Sequence, residues 1–337
     1  MEGEASGVIS HDVRSGSRPD RNLALELVRV TEAAALAAAR WVGRGDKEAA
    51  DQAAVDAMRV VLETVHMDGI VVIGEGEKDE APMLYNGESI GDGSQPAVDI
   101  AVDPLEGTTL TAKGQPNALC VVALSERGTM FDPGPCVYME KMAGGSDIAD
   151  LLSLTDPIED VLDRVAARRR VSVGDLMVVI LDRPRHAERI ERVRAHGGRI
   201  RLIPDGDVAG SLMAVWPDTG IDLLCGIGGT PEGVLSAAAI KATGGALLGR
   251  MAPRDDDERA RTVAAGIDPD RILTSDDLIA GDNCFFAATG VTDGDILKGV
   301  RFTSEEAFTT SIVMRSRSGT VRIVEGRHRR DRLRVRL

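Results

Sequence analysis

The sequence predicts an α/β protein built from layered helices and sheets. The chain has 337 residues, 43% of them hydrophobic, which is enough for a large core and, at ~100–200 residues per domain, for two domains. In the first half, two long helical patterns precede clustered strand patterns, which is typical of α+β layers. In the second half, strand and helix patterns alternate, which is typical of an α/β unit.

The first two elements are helices. From residue 23 to residue 41, apolar residues recur at steps of three and four, the spacing of one helix face, and Gly43–Gly45 end this helix. A second apolar face predicts a helix over residues 47–65. Residues 1–20 are polar and mixed in charge, so we expect them to form a disordered arm.

The strand patterns begin after the second helix. Ile70–Ile73 and Val98–Val102 are short continuous apolar runs, which are typical of buried strands. The same criteria predict further strands at 118–124, 135–142, 176–181, 199–203, 221–225, 285–289 and 320–324, and helices at 184–196, 207–215 and 231–243.

The domain boundary has no strong signal. No long low-complexity linker occurs, and the charged stretch 166–172 is the best candidate. We therefore expect a first domain over residues 21–170 and a second over 171–326, from which the last strands could return to the first. Residues 327–337 contain six Arg and are expected to form a solvated basic tail.

Charge and composition argue against several classes of partner. The net charge is −14, which opposes sequence-independent binding to nucleic acid or to an anionic membrane. Only 3% of residues are aromatic, too few for base stacking. The four cysteines are scattered among apolar neighbours and are expected to be reduced core residues. Because no apolar run reaches ~18–20 residues and no signal-peptide core is visible, we expect a cytoplasmic protein.

Acidic residues cluster after two predicted strands. Glu75 and Glu77 lie in the loop 74–80, and Asp103 and Glu106 lie in 103–109. Carboxylates at strand ends repel one another unless a cation lies between them, and Mg²⁺ or Mn²⁺ prefers such oxygen ligands. Two ions about 3.5–4 Å apart can stabilise the attacking and leaving oxygens of a phosphoryl displacement.

Each loop also has a structural interpretation. The first could be an exposed charged loop, although its glycines at 74 and 76 would allow the backbone to approach a ligand closely. The second could be an ordinary Asx turn. In it, Pro104 restricts Asp103 to an extended conformation, so the carboxylate projects at the end of the strand.

Longer motifs then give a family resemblance. They occur in the order Gly43–Lys47, Val72–Gly87, Asp103–Thr108, Asp205–Asp207 and Gly228–Gly233. Together they resemble class II fructose-1,6-bisphosphatases of the lithium-sensitive sugar phosphatase superfamily, over residues 21–326. The Arg-rich end matches no known pattern. Many relatives in the wider superfamily have Asp where this chain has Glu106, but Glu also fits the class II pattern.

The resemblance implies a fold and an activity. The fold would be a layered α-β-α-β-α sandwich, with metal-binding residues mainly in the first domain and substrate-binding residues mainly in the second. The activity would be hydrolysis of the 1-phosphate of fructose-1,6-bisphosphate to fructose-6-phosphate in gluconeogenesis, with Mg²⁺ or Mn²⁺ as cofactor. The expected partners are the sugar bisphosphate and further copies of the chain in a homo-oligomer.

The resemblance also implies site residues. The metal ligands would be Asp51, Glu75, Asp103, Glu106 and Glu232. The substrate contacts would come from Glu106, Gly107, Thr108, Tyr138, Arg183, Arg185, Asp205, Asp207 and Gly229. Arg185 suits the phosphate that is not cleaved, because its guanidinium can form two parallel hydrogen bonds. Without the resemblance, Lys47 and Asp51 would be read as a surface pair one helical turn apart.

The predicted catalytic residues are Thr108, Asp79 and Lys47. A metal lowers the pKa of water directly, so attack by water is simpler than attack by the Thr108 hydroxyl. We therefore hypothesise that Asp79 and Lys47 polarise the water or relay its proton, and that Thr108 orients the phosphoryl group. Lys47 could equally be a counter-ion of Asp79.

Other classes of protein fit the sequence less well. Gly226–Pro231 begins like a dinucleotide fingerprint but has Pro231 where the last glycine is required. There is no P-loop and no Gly-x-Ser-x-Gly elbow. His186 could contact phosphate or could be an exposed loop residue.

Two functional alternatives remain open. One is a dual enzyme that also accepts sedoheptulose-1,7-bisphosphate. The other is a non-catalytic sugar-phosphate-binding relative, which the complete set of five carboxylates disfavours.

Overall fold

The computed structural model describes residues 22–76 and 83–333. The expected disordered arm, the loop residues Glu77 and Asp79, and the last four residues lie outside the described part of the chain. Within that part, the α-helices are α1 (Ala24–Ala38), α2 (Lys47–Leu62), α3 (Thr108–Lys113), α4 (Ile158–Arg169), α5 (Ala187–Ala195), α6 (Asp207–Val215), α7 (Thr230–Thr243), α8 (Asp256–Ala264) and α9 (Ser275–Leu278).

The strands divide into two sheets. The first sheet has the order β12-β13-β11-β4-β3-β1-β2, with β14 paired to β13, and the second has the order β10-β9-β5-β8-β6-β7. The strands are β1 (Asp68–Ile73), β2 (Ser89–Ile90), β3 (Ala97–Glu106), β4 (Leu119–Glu126), β5 (Tyr138–Gly144), β6 (Met177–Leu181), β7 (Arg199–Ile203), β8 (Leu223–Gly229), β9 (Ala246–Met251), β10 (Leu273–Thr274), β11 (Phe285–Gly290), β12 (Arg301–Phe302), β13 (Glu306–Arg315) and β14 (Thr320–Arg329).

Three helical layers enclose the two sheets. Helices α1 and α2 cover the outer face of the first sheet, where Leu27 and Leu62 share a core with Ile100. Helices α4 and α5 cover the outer face of the second sheet through Val161 and Val193. Helices α6 and α7 lie between the sheets and contact both. The layers therefore alternate as helix, sheet, helix, sheet and helix, and the predicted fold class is confirmed.

The parallel strand pairs determine which loops lie close to one another. In the first sheet, β1 runs parallel to β3, and in the second, β6 runs parallel to both β7 and β8. The carboxyl ends of parallel neighbours lie at the same edge of a sheet, where the following loops meet. Each sheet therefore presents a group of loops at one edge, and the middle helices α6 and α7 begin beside them.

The passage between sheets differs from the expected boundary. The chain leaves the first sheet after β4 and enters the second at β5, well before the stretch 166–172, and it returns to the first sheet at β11. Strand β14 continues to Arg329, so it includes the first three residues of the expected basic tail. The division into two domains stays a prediction.

The cysteines lie in the core of the protein. All four cysteines are buried and free, as predicted for core residues. Among the described helices, none combines the length and apolar character needed to cross a membrane.

The core between α1, α2 and the first sheet predicts a stability effect. Leu124 on β4 is fully buried in this core, whereas Leu25 on α1 is 63% exposed. We expect Leu124→Ala to lower the free energy of unfolding by about 2–5 kcal/mol, because it removes buried methyl groups and leaves a cavity. Leu25→Ala, the matched control, should change it by less than about 0.5 kcal/mol. Denaturant unfolding measures both, and equal losses would contradict the layer assignment.

Candidate active site

Five carboxylates from four segments gather at one edge of the first sheet. Asp51 lies on α2, Glu75 follows β1, Asp103 and Glu106 end β3, and Glu232 is in the first turn of α7. Because β1 and β3 are parallel, Glu75 comes close to the end of β3. Helix α2 packs on β3, and α7 begins from the layer between the sheets.

The electrostatics of Asp103 show that these five groups are neighbours. Burial raises the pKa of Asp103 well above its ordinary value, and the charges of Glu106, Glu232, Glu75 and Asp51 raise it further. The sequence therefore predicted a set that the structure does bring together. None of the five forms an ion pair with a basic side chain of the described residues, so their charges are balanced by backbone groups, by protons or by bound cations.

Glu75 is held by a close contact between two loops. Its backbone N–H donates to the carbonyl of Leu84 at 2.9 Å, and the N–H of Gly74 donates to Asn86 Oδ1 at 2.9 Å. A Cβ on Gly74 would lie 1.9 Å from the Leu84 carbonyl oxygen. Gly74 therefore serves a contact within the chain, and the expectation that it also lets a ligand approach the backbone stays a prediction.

Burial raises the pKa of the Glu75 carboxyl to about 7, with further contributions from the charges of Asp51 and Glu232. The pKa of Asp51 is also raised, first by its own burial and then by Glu48. A carboxyl group with these surroundings binds a proton or a cation more readily than an exposed one.

Glu106 is fixed by the start of α6. The backbone N–H of Val208 donates to Glu106 Oε1 at 2.6 Å, and that of Ala209 donates to Oε2 at 3.2 Å. The pairing of β3 with β4 shifts register between Asp103 and Glu106, which is where Pro104 removes a backbone donor. Even with two donors, burial and the charge of Asp207 keep the pKa of Glu106 raised.

Glu232 has an unsatisfied oxygen. Its Oε2 is buried and has no hydrogen-bond partner within residues 22–76 and 83–333. A Cβ on Gly229 would lie 1.7 Å from this oxygen, so the glycine is needed for the carboxylate to fold back over the start of α7. Burial raises the pKa of Glu232, the Asp207 charge raises it further, and Lys141 lowers it.

The donor set fits a hard divalent cation. All five groups supply carboxylate oxygens, their pKa values are raised, and one buried oxygen lacks a partner. In the described part of the chain, no three such side chains stand close enough together to hold a metal ion as they are placed.

Two of the three predicted catalytic residues, Thr108 and Lys47, lie on the elements that carry this cluster or directly after them. Thr108 is the half-buried first residue of α3, and Lys47 is the exposed first residue of α2. Their helices are joined by the loop before Lys47, because the N–H groups of Gly43 and Gly45 donate to the carbonyls of Thr111 and Ala112, each at 2.9 Å. Asp79 lies outside the described residues.

The predicted substrate residues that are not on the first sheet form a second group at the edge of the second sheet. They are Tyr138, Arg183, Arg185, Asp205, Asp207 and Gly229. The guanidinium of Arg185 stacks 4.8 Å from the ring centroid of Tyr138, and its Nε and Nη2 donate to the Ile227 carbonyl. Tyr138 lies opposite Gly229 in the antiparallel pair of β5 and β8. Gly229 is three residues before Glu232, so the two groups meet at the start of α7.

Two aspartates of this group differ in their surroundings. Asp205 is half-buried, with an oxygen 3.8 Å from Arg183. Asp207 is buried and forms an ion pair with Lys141. Sequence reasoning missed Lys141, since a lysine in a strand normally points to solvent. Its one sequence signal is that apolar residues, Met142 and Ala143, follow it directly in the same strand.

His186 also differs from both of its sequence interpretations. It is buried, its Nδ1 donates to the Leu181 carbonyl at 2.7 Å, and its Nε2 accepts from the Ile227 N–H at 2.7 Å. Burial lowers the pKa of its imidazole. His186 therefore holds the arginine-bearing loop against β8 and neither projects into solvent nor contacts a phosphate.

The fold and site define a layered α/β protein with an oxygen-lined acidic site beside an arginine and tyrosine pair. The profile of the family "Bacterial fructose-1,6-bisphosphatase, glpX-encoded" matches residues 21–328. The chain belongs to this family, and the resemblance inferred from its motifs is confirmed.

Curated relatives agree with the family assignment. The chain is 46% identical over 327 residues to "Fructose-1,6-bisphosphatase class 2" of Haemophilus influenzae, a match that covers 93% of this chain and 98% of the relative. It is 46% identical over 325 residues to "Fructose-1,6-bisphosphatase 1 class 2" of Escherichia coli K12, covering 93% and 96%.

A solved structure is more distant. The extragenic suppressor protein suhB from Bartonella henselae aligns with 60% of this chain and 72% of its own, with 16% identity and a TM-score of 0.30. A similarity of this size carries no argument about fold or function.

The raised pKa of Glu75 predicts how stability depends on pH. Between its ordinary value of 4.5 and about 7, the folded protein holds a proton that the unfolded chain has released. The free energy of unfolding of metal-free protein should therefore fall as pH rises through this window, by about 3 kcal/mol from Glu75 at 1.36 kcal/mol per pKa unit.

Denaturant unfolding in EDTA at pH 4.5 to 8 measures this dependence. Glu75→Gln should flatten it, whereas Glu191→Gln, which changes an exposed carboxylate on α5, should not. A slope that is equally steep in Glu75→Gln would show that Glu75 does not titrate in this range.

Proposed function

We propose that this protein is a metal-dependent phosphatase that hydrolyses the 1-phosphate of fructose-1,6-bisphosphate to fructose-6-phosphate and phosphate, a reaction of gluconeogenesis. The gathering of five carboxylates at the end of β3 is the observation that carries this proposal. It is supported by family membership and by the two class 2 fructose-1,6-bisphosphatases that are 46% identical to this chain over nearly its whole length.

Asp51, Glu75, Asp103, Glu106 and Glu232 would hold the cation, which we propose is Mg²⁺ or Mn²⁺. When bound, such a cation supplies charge stabilisation for the transferring phosphoryl group and lowers the pKa of water. These residues contribute carboxylate oxygens that repel one another. Their repulsion favours a cation between them. The buried Oε2 of Glu232, which has no hydrogen-bond partner among the described residues, is well suited to bind the cation.

Arg185 would bind the phosphate that is not cleaved. Its guanidinium carbon lies over the ring of Tyr138, 4.8 Å from the ring centroid, and this contact limits the freedom of the side chain. Its contact with the Ile227 carbonyl further fixes it at the end of β8. Arg183 and Asp205 would contact the sugar beside it, and the Gly107–Thr108 turn would contact the phosphoryl group that leaves.

Water would be the nucleophile. Thr108 begins α3, so its hydroxyl lies at a helix end whose free N–H groups favour a phosphate oxygen. We propose that Thr108 orients the phosphoryl group and that Asp79 and Lys47 polarise the attacking water or relay its proton. The hydrogen bonds from Gly43 and Gly45 to α3 support a fixed distance between Lys47 and Thr108.

We also propose that the enzyme acts in the cytoplasm. Four buried thiols without a disulfide are compatible with a reducing compartment. The homo-oligomer expected from the sequence stays a prediction.

Metal removal tests the proposed function. We expect phosphate release from fructose-1,6-bisphosphate to be lost after treatment with EDTA and dialysis, because the carboxylates would then repel both each other and the phosphate. Mg²⁺ or Mn²⁺ should restore it, while K⁺ at equal ionic strength should not. Phosphate release that persists in the dialysed, metal-free enzyme would refute a metal-dependent mechanism.

Substitution of Arg185 tests the binding of the second phosphate. Arg185→Ala should raise the KM for fructose-1,6-bisphosphate about 10- to 150-fold, because a charge-assisted hydrogen bond of ~1.5–3 kcal/mol is lost. Arg168→Ala is the matched control, since Arg168 is an exposed arginine of the outer layer paired with Asp150. Steady-state kinetics measures both. An unchanged KM in Arg185→Ala would remove this residue from the site.

A further inference from the structure

Lys141 is a buried cation beside the site. Its side chain on β5 is 1% exposed. Its Nζ forms an ion pair with Asp207 Oδ2 and donates to the Gly229 carbonyl oxygen at 2.8 Å. A buried ammonium is costly unless it is paired and hydrogen-bonded, so both contacts are needed to keep Lys141 in this position.

The glycine motif at the start of α7 makes room for Lys141. A Cβ on Gly228 would lie 1.8 Å from Asp207 Oδ2 and 3.1 Å from Lys141 Nζ, and one on Gly233 would lie 3.2 Å from Lys141 Cδ. Contact with substrate or metal would require only Gly229 and Glu232 of this motif. The other two glycines leave space for the ion pair and its neighbours: an added Cβ on Gly228 would lie closest to Asp207, one on Gly233 would lie closest to Met139 Sδ at 2.9 Å, and Lys141 is the next contact in both cases.

The ion pair connects segments from both sheets. Asp207 is the first residue of α6, and the next two residues donate their N–H groups to Glu106 at the end of β3. Gly229 is the last residue of β8, opposite Tyr138 on β5. Lys141 therefore holds the start of α6 and the start of α7 at a fixed separation.

We propose that Lys141 is a positioning residue for substrate binding, acting through Asp207 and Gly229. The inference rests on the proposed function, because these two residues are the predicted sugar contacts that Lys141 touches. Lys141 orients the Asp207 carboxylate and the Gly229 backbone before substrate arrives, so that neither segment must be ordered on binding. Lys141 itself is covered by protein and does not reach the substrate.

Glu140 provides a matched control on the same strand. It is the residue before Lys141, its side chain is on the opposite face of the sheet, and it is paired with Arg189 and Arg250. Both residues are therefore largely buried charges of β5 in ion pairs, but Glu140 faces the outer layer. A purely structural role for Lys141 predicts that Lys141→Met and Glu140→Gln have the same kind of effect.

The test compares Lys141→Met, Lys141→Met/Asp207→Asn and Glu140→Gln in the full chain. We expect Lys141→Met to raise both the KM for fructose-1,6-bisphosphate and the Kd for fructose-6-phosphate at least ten-fold, by kinetics and calorimetry. The double variant removes the unpaired buried carboxylate, so it should regain thermal stability while its KM and Kd stay raised. Glu140→Gln should lower Tm and leave both constants within two-fold of wild type.

Each outcome bears on one proposal. If Lys141→Met alone does not fold, the double variant is compared with Asp207→Asn, and a KM and Kd no higher than those of Asp207→Asn would overturn a role of Lys141 that also acts through Gly229. Values within two-fold of wild type in both Lys141 variants, or an equal rise in Glu140→Gln, would overturn the positioning role. A wild-type enzyme that binds fructose-6-phosphate but releases no phosphate from the bisphosphate would refute the proposed function, and Lys141 would then be judged on the Kd alone.

Discussion

Repulsion among five carboxylates, one buried and four half-buried, is the constraint on which the rest of this structure depends. Each of these groups loses hydration on folding, and their like charges add to that cost, as the raised pKa of Asp103 shows. The fold holds them together through the connectivity of the chain and through backbone hydrogen bonds. Two adjacent residues of α6 bind Glu106 through N–H groups, and the contact between Glu75 and Leu84 closes the loop after β1.

The middle layer allows both sheets to contribute to one site. Helices α6 and α7 pack against both sheets, and each begins at the edge where the parallel strands end. The first sheet supplies acidic groups that suit a cation, and the second supplies Arg185 and Tyr138, which suit an anion. A sugar carrying two phosphates has the length and the charges to contact both groups, so the two-sheet architecture and the proposed substrate are compatible.

The sequence predicted those elements whose apolar residues form a clear pattern, either periodic or continuous. Helix α6 was expected at 207–215, where it occurs, because its apolar residues are nearly continuous. Helix α8 and strand β9 were missed for physical reasons. The buried residues of α8 are Glu258 and Thr262, so no apolar stripe marks it, and β9 contains Gly249, which leaves space for Met139. Lys141 was missed because only a third element, α6, supplies its partner.

The surroundings of Asp207 distinguish it from the five carboxylates of the first group. Asp207 has a permanent counter-ion, because Lys141 is part of the chain and is enclosed by glycines that fit its side chain. The other five are paired with no basic side chain of the described residues. This difference is what the two proposals require: Asp207 needs a fixed position to contact the sugar, and a permanent counter-ion provides it, whereas carboxylates that hold an exchangeable cation must have no basic side chain in its place.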